Sequence, residues 1–434
     1  MSLAVDVGTR FVRLAHLDTA GRPVLADLAG AVPGEGLPVA PGQAGGQVLA
    51  AGCAAFRDRF GVPESVVLLC PDSARAECSR TIAEVFGSAR SALPRLRPLH
   101  PAAAALALLR HDGQEPVGSW ALCELGAAAV AVTVCAATPH GLALLGAVRR
   151  APSGGFGAAF DDALVGAGPG GADAASLEAL RYARRVPGFA ERLDLAVGRA
   201  ERNPTRYDDT PVLWVGALEV PAGTVRRALV PLREQLRQAL AEATADATTD
   251  APPVVVVGGM ARLPAVRRLV GDPGRLVELP GGTDPALAAV LGAALVAAGR
   301  VDPADRYPYT VVVGTRRVRH GRLAAAELTL CPAGSLIPEA PAVFAAEGGR
   351  RVAVGGAGQA PREVEVWVRG VDGGPSVRVG SARLPASAPE ERFHVGVALA
   401  LDGRARLVLR PLGGGAPHEY PLGRLPGVLE EVRS

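Results

Sequence analysis

The spacing of apolar positions in the first third of the chain predicts alternating strands and helices. Three apolar runs, at residues 3–7, 11–17 and 23–28, are separated by short turns and predict an antiparallel meander. A helix to about residue 60, a strand at 65–70 and a helix after Asp72 and Ser73, whose side chains can cap it, are expected next. This order is typical of an α/β domain.

The opening pattern recurs in the middle of the chain. After an apolar helix that contains "PAAAALALL", residues 119–137 again form an apolar strand, an acid-x-glycine bend and a second apolar strand. Glu124 and Gly126 therefore stand where Asp6 and Gly8 stand in the first bend. We expect another strand at 141–150, mainly helix from 161 to 247 with one strand at 211–220, and a buried strand that ends at Gly258. A helix rich in small residues follows at 284–299, so the pattern predicts two similar halves.

The pattern changes after a charged, proline-bearing segment, "RVDPADRYP". Apolar and polar residues then alternate at 363–371, at 393–401, and at 404–412 after an Asp-Gly turn, which predicts a β-sandwich with no long helix. The predicted divisions are a domain at 1–300, a linker at 301–308, a β-domain at 309–424 and a tail at 425–434.

Composition favours one cellular compartment but does not identify a class of partner. The chain of 434 residues has 46 basic and 43 acidic residues, and every basic residue is arginine. No run of like charge is long enough to indicate binding to nucleic acid or to a membrane surface. Six cysteines without a C-x-x-C pair, and an N-terminus unlike a signal peptide, favour a reduced cytoplasmic protein. Histidine and cysteine spacing indicates no metal cluster.

Two acid-glycine bends followed by a strand that ends in Gly258-Gly259 resemble the actin-like ATPase fold. Within that fold the chain resembles the seventy-kilodalton heat-shock chaperone family, through "HPAAAALALL", "VVVVGGMARLPAVRRLV" and "DPALAAVLGAALVAA". The segments "AGSLIPEAPAVF" and "VALALDGRARLVL" are similar to strands of the family's peptide-binding β-domain. The resemblance covers most of the chain, with 30–46 and 172–249 abbreviated. It implies a two-lobed actin-like α/β domain with a nucleotide cleft, followed by an all-β sandwich.

The resemblance implies ATP or ADP with magnesium as the ligand of the first domain. Asp6 and Glu124 would hold the magnesium ion through water, and the hairpin glycines would face the phosphates. The positions implied to contact the nucleotide are Asp6, Gly8, Thr9, Arg10, Glu124, Gly126, Arg202, Gly258, Gly259 and Arg262.

Several positions depart from the family pattern in ways that weaken its chemistry. A glutamate replaces aspartate at position 124, Ala127 to Ala129 replace glycines and a threonine, and Ala131 replaces an aspartate. His100 stands where the family has a catalytic glutamate, and a lysine-free chain cannot supply the family's water-positioning lysine.

The predicted adenine site is altered as well. Gly198 and Glu201 stand where a glutamate and a lysine are usual, which leaves Arg202 to stack on the base. Arg10 could reach a phosphate and His100 could accept a proton. The alternatives are a solvated arginine and a neutral packed histidine.

Three functions remain open. The first is a chaperone-like protein with a degraded or very slow ATPase, weak or absent nucleotide binding, and a β-domain that holds a partner protein. The second is an active ATP-dependent chaperone with rewired catalytic residues. The third, a small-molecule kinase on the same fold, is disfavoured by the β-domain.

A charged linker and a chain too short for a helical lid predict that nucleotide does not control release of the partner. A Walker-type loop is excluded because it requires lysine.

Overall fold

A computed structural model of the chain divides into two compact units. The first comprises 1–134 and 146–303, and the second comprises 135–145 and 304–434. The structure describes residues 1–40, 43–70, 74–87, 93–138, 141–151, 155–166, 179–180, 188–215, 218–245, 252–270, 275–302, 306–336, 342–355, 362–370, 376–384, 388, 391–400 and 404–426. The capping residues Asp72 and Ser73 and the Asp402-Gly403 turn lie outside these ranges.

The first sheet of the first unit begins with the expected meander. Its strands are β1 (Ser2–Val7), β2 (Phe11–Leu17), β3 (Pro23–Leu25), β4 (Leu37–Pro38), β5 (Ser65–Leu69) and β6 (Arg95–Pro98), in the order β3-β2-β1-β5-β6 with β4 beside β2. β1, β2 and β3 are antiparallel, whereas β5 and β6 run parallel to β1. Parallel strands are usually buried on both faces, and "SVVLL" of β5 fits that rule.

Helices cover this sheet and bury its apolar side chains. They are α1 (Gly45–Phe60), α2 (Arg75–Gly87) and α3 (Pro101–His111). Phe56 of α1 and Phe86 of α2 are fully buried and share one core cluster with Leu3 and Val5 of β1. The core therefore fixes β1, which leads into the first bend.

A second sheet follows, most of which belongs to the same unit, whereas residues 135–145 of two of its strands belong to the second unit. Its strands are β7 (Gly118–Leu125), β8 (Val130–Thr138), β9 (Gly141–Arg150) and β12 (Val254–Val257), in the order β12-β7-β8-β9, with β12 parallel to β7. The prediction of one strand at 211–220 is wrong. β10 (Pro211–Val215) and β11 (Leu218–Pro221) instead form an antiparallel pair, and the sequence between them contains a glycine, a residue common in turns.

The remaining helices of the first unit come after β9 in the chain, and the last of them packs on α3 and on β1, β2 and β5 of the first sheet. They are α4 (Phe156–Val165), α5 (Phe189–Arg202), α6 (Pro204–Tyr207), α7 (Ala222–Thr244), α8 (Pro264–Arg267) and α9 (Ala288–Ala297), with 3-10 turns at Gly259–Arg262, Arg268–Val270 and Pro280–Gly282. α9 packs so closely on α3 that a Cβ on Gly292 would overlap the Ala104 carbonyl oxygen. None of the described helices is long and apolar enough to cross a bilayer.

The second unit contains two larger sheets that share one core, and two further sheets of two strands each. Its strands are β13 (Arg306–Tyr307), β14 (Thr310–Arg319), β15 (Arg322–Cys331), β16 (Ser335–Leu336), β17 (Val343–Phe344), β18 (Ala346–Glu347), β19 (Arg350–Arg351), β20 (Ala353–Gly355), β21 (Arg362–Arg369), β22 (Ser376–Leu384), β23 (Arg392–Leu399), β24 (Arg404–Pro411) and β25 (His418–Arg424).

The two sheets have the orders β15-β14-β21-β22 and β17-β23-β24-β25, with β20 also paired to β23. Val366 of the first sheet and Leu407 of the second are fully buried in the shared core. No helix occurs among the described residues from 306 to 426. Leu425, placed in the predicted tail, belongs to this core, and the Tyr307 hydroxyl donates to the Pro426 carbonyl at 3.1 Å.

Candidate functional site

The first bend is a tight hairpin with Thr9 and Arg10 at its tip. The Gly8 N–H donates to the Phe11 carbonyl at 3.0 Å, and β1 pairs with β2 from Val7 opposite Val12 outward. An ideal Cβ on Gly8 would lie 2.8 Å from the Phe11 oxygen, so a side chain would distort the turn.

The second bend repeats this geometry. The Gly126 N–H donates to the Ala129 carbonyl at 2.9 Å, which places Ala127 and Ala128 at the tip between β7 and β8. Glu124 precedes this glycine by two residues, as Asp6 precedes Gly8. The predicted internal repeat is therefore present in the hairpins themselves.

Helix α4 contacts both hairpins. In its first turn the Gly157 N–H donates to the Ala127 carbonyl at 2.7 Å, and an ideal Cβ on Gly155 would lie 2.7 Å from the same oxygen. One turn later, Asp161 accepts a hydrogen bond from Arg10 at 2.9 Å between Oδ2 and Nη2. The Asp161 side chain is only 1% exposed. We call the two bends (6–10 and 124–128) together with Asp161 the two-hairpin site.

Both Asp6 and Glu124 have raised pKa values, and the charge of Asp6 contributes to the shift of Glu124. Burial raises the pKa of Asp6, and the charge and hydrogen bond of Arg13 offset part of that rise. Burial also raises the pKa of Glu124, and the negative charge of Asp6 raises it further against the charges of Arg149 and Arg13. The negative charge of Asp6 therefore acts on Glu124, and their joint role stays a prediction.

Arg13 neutralises Asp6 directly. The register of the hairpin places the two residues opposite each other, and Arg13 Nη1 donates to Asp6 Oδ2 at 3.0 Å. Arg13 Nε donates to the Glu35 carbonyl oxygen, also at 3.0 Å, so the guanidinium is held from two sides.

Arg262 takes part in a second cluster of ion pairs. Its Nε lies 2.9 Å from both carboxylate oxygens of Asp284, its Nη2 donates to the Gly34 carbonyl at 3.0 Å, and its Nη1 donates to the Glu35 carboxylate. Burial lowers the pKa of Arg262, but the hydrogen bonds and charges of Asp284 and Glu35 outweigh burial and raise it. These contacts engage the N–H groups of Arg262, which the resemblance places against the nucleotide, with two acids and a carbonyl of its own chain.

Neither a scan against protein-family models nor a search of curated proteins returns a match for the chain. The chemistry of the two-hairpin site must therefore be read from its own side chains.

The other positions predicted to contact the nucleotide differ in how exposed they are. Thr9 and Gly259 are exposed, and Gly258 is half-buried with a φ of 101°. Arg202 lies exposed in the last turn of α5, where Glu201 is paired with Arg233 at 2.8 Å. Gly258 packs against the strand that leads into the second hairpin, because the atoms nearest to an ideal Cβ on this glycine are backbone atoms of Leu125.

The degenerate catalytic positions have structural roles. His100 caps α3, because its Nδ1 accepts the Ala102 N–H at 3.1 Å. An imidazole whose Nδ1 accepts a backbone hydrogen bond is unprotonated at that nitrogen, so this nitrogen is not free to take a proton from water. Ala129 is buried and supplies the carbonyl that closes the second hairpin, and Ala131 lies two residues into that strand.

The residues present do not fit the magnesium ion that the resemblance implies. Magnesium prefers near-octahedral oxygen ligands, and the Arg13 guanidinium at 3.0 Å from Asp6 would repel a dication there. Among the described residues, no group of three or more histidine, cysteine or acidic side chains is placed to hold a metal.

The hairpin amides fit a nucleotide phosphate no better. The Gly8 and Gly126 N–H groups, which the resemblance assigns to phosphate, are already donated within their own hairpins.

Sequence reasoning missed Arg13, Glu35, Asp161 and Asp284. Asp161 carried a detectable signal, since it shares the buried face of α4 with Phe160 and Leu164, where an acid needs a partner. Its partner, Arg10, was identified only as a phosphate ligand or a solvated side chain. The structure gives Arg10 a third role, as the counter-ion of a buried carboxylate.

Glutamine in place of Glu124 is expected to stabilise the protein at neutral pH. Because the pKa of Glu124 is raised above its ordinary 4.5, the ionised folded form becomes less favourable as pH rises from 4.5 through the raised pKa. A neutral side chain of equal size removes that cost. We expect a higher Tm at about pH 7.5 and no difference below about pH 4.

The exposed Glu115, changed to glutamine, is the matched control and should leave Tm unchanged at both pH values. Thermal unfolding followed by circular dichroism provides the measurement. A Tm that falls in Glu124→Gln at neutral pH would mean that the carboxylate stabilises the site as an ion.

Proposed function

We propose that the chain binds a partner protein and that its first unit is an actin-like domain whose ATPase chemistry is lost. The order of the first sheet, three antiparallel strands followed by two parallel ones, supports this reading. So do the repeated hairpins and the contact of α4 with both of them.

One observation carries the proposal more than any other. Asp6, the carboxylate on which the resemblance would place hydrated magnesium, is bound by Arg13 of its own hairpin. Phosphoryl transfer depends on positioned cations and a positioned nucleophile. A site whose acid is neutralised internally, in a chain without lysine, lacks the groups that this chemistry needs.

Partner binding is assigned to the second unit, a β-sandwich in this proposal. Its β14–β15 hairpin turns at His320 and Gly321, which have φ values of 50° and 73°, as two-residue hairpin turns require. Residues 316–322 at this tip contain four arginines. Val318 within the tip is 70% exposed. Arg316 lies two residues before Val318 on the same face of β14, and an exposed apolar side chain near a cation suits an acidic protein segment that contains apolar residues.

The tip can be tested with an unfolded acidic protein as the probe. We expect the full chain to bind fluorescently labelled, reduced and carboxymethylated α-lactalbumin, measured by anisotropy. Val318→Glu should weaken binding by about tenfold or more, because it places a negative charge in an apolar contact with an acidic chain. Val230→Glu, at an exposed valine of α7, is the matched control and should bind as the wild type does. No binding by the wild type, or equal loss in both variants, would contradict the proposal.

We also propose a cytoplasmic location. All six cysteines are free and five of them are buried, which suits a compartment that keeps thiols reduced.

A further inference from the structure

Arg13 is fixed beside Asp6 by contacts on both sides of its guanidinium. Besides its bond to Asp6, it donates from Nε to the Glu35 carbonyl, and only 12% of its side chain is exposed. The guanidinium carbon also lies over the Phe11 ring, 5.8 Å from its centroid. A side chain held in this way has little freedom to leave its acid.

The charge of Arg13 serves two carboxylates. It lowers the pKa of Asp6 and that of Glu124, opposing the effect of burial on each. Glu124 makes no hydrogen bond or ion pair with another residue in the part of the chain that the structure describes. The cations that lower the pKa of Glu124 are the exposed Arg149, which has the larger effect, and Arg13.

A guanidinium and a divalent ion cannot share this place. Both would be attracted by the same two carboxylates, and they would repel each other across a few ångströms of poorly solvated space. The arginine is covalently part of β2 and brings its own donors, so a free metal ion must displace a side chain that the fold already holds in place.

We infer that Arg13 is the resident counter-ion of the Asp6–Glu124 pair, and that it excludes divalent metal ions from the two-hairpin site. Any phosphate-bearing ligand of this site would then bind without a metal. The inference deepens the proposed function, on which it rests for the identity of the site. It requires no partner protein, so the two can fail separately.

Manganese(II) titration of the full chain, followed by the electron paramagnetic resonance signal of the free aquo ion, tests the inference. We expect no wild-type site that depends on Asp6, so wild type and Asp6→Asn should give the same titration. Arg13→Met keeps the apolar stem and removes the charge. It should create one site at least about tenfold tighter than any in the wild type.

Two further variants locate that new site. Adding Glu124→Gln to Arg13→Met should remove it. Arg22→Met, which removes an exposed arginine paired with Asp18, should create none.

The inference is overturned if the wild type binds manganese and Asp6→Asn abolishes that binding. It is also overturned if Arg13→Met, folded by circular dichroism, gains no site. If Arg13→Met fails to fold, the manganese titrations of the wild type and of Asp6→Asn still test whether the wild type has a metal site that depends on Asp6. A wild-type manganese site would leave the proposed partner binding untouched, and loss of α-lactalbumin binding would leave this result untouched.

Discussion

Alanine in place of Gly258 is expected to destabilise the protein by about 2 to 5 kcal/mol. Gly258 has φ 101° and ψ 166°, a region that glycine alone adopts readily. An ideal Cβ there would lie 2.5, 2.8 and 2.9 Å from the carbonyl oxygen, carbonyl carbon and amide nitrogen of Leu125. These are backbone atoms at the end of β7, so the added methyl must displace the strand that carries Glu124.

The neighbouring glycine provides the control. An ideal Cβ on Gly259 has no atom within 4 Å, and Gly259→Ala is expected to change the free energy of unfolding by no more than about 0.5 kcal/mol. Urea unfolding of both variants, followed by circular dichroism, gives the comparison. Equal stability of the two variants would mean that the close approach of Gly258 to β7 is wrong.

Hydrolysis of ATP by the full chain is expected to be no faster than by its Asp6→Ala variant. A missing base or positioning group typically costs a factor of about 10² to 10⁴. Here the water-positioning lysine is missing, His100 is engaged in capping α3, and Asp6 is paired with Arg13. We therefore expect wild-type turnover to equal that of the variants.

A single-turnover assay with radiolabelled ATP and magnesium measures this. Asp27→Ala, which removes an exposed acid paired with Arg59, is the matched control for traces of contaminating enzyme. Turnover that persists in Asp27→Ala and is lost in Asp6→Ala would favour the active, rewired chaperone.

The first hairpin shows what the sequence alone could have predicted. A two-residue tip at Thr9 and Arg10 fixes the register of the two strands, and that register sets Arg13 opposite Asp6. That step needed only local geometry.

The pairing of Arg10 with Asp161 was beyond reach for a physical reason. The two residues are 151 positions apart, and nothing local to Arg10 distinguishes a phosphate from a carboxylate as its partner. Arg262, Glu35 and Asp284 likewise meet only through tertiary folding, so their cluster could not be found from spacing.

The same limit applies to the edges of elements. The apolar run at 211–220 satisfied the pattern of one strand, although it forms two paired strands. Leu425 followed the last alternating strand and looked like a tail, yet its burial in the core depends on residues more than a hundred positions earlier, such as Tyr307.

The central claim is that nucleotide does not control the hold of this protein on its partner. Release of labelled α-lactalbumin from the full chain into excess unlabelled probe, timed with and without saturating ATP and magnesium, tests it most directly. A ligand shifts binding only through its differential affinity for two states, and a two-hairpin site filled by its own arginines gives ATP no state to favour. We predict equal release rates within about twofold. Release about tenfold faster with ATP, equivalent to about 1.4 kcal/mol of coupling, would contradict the account.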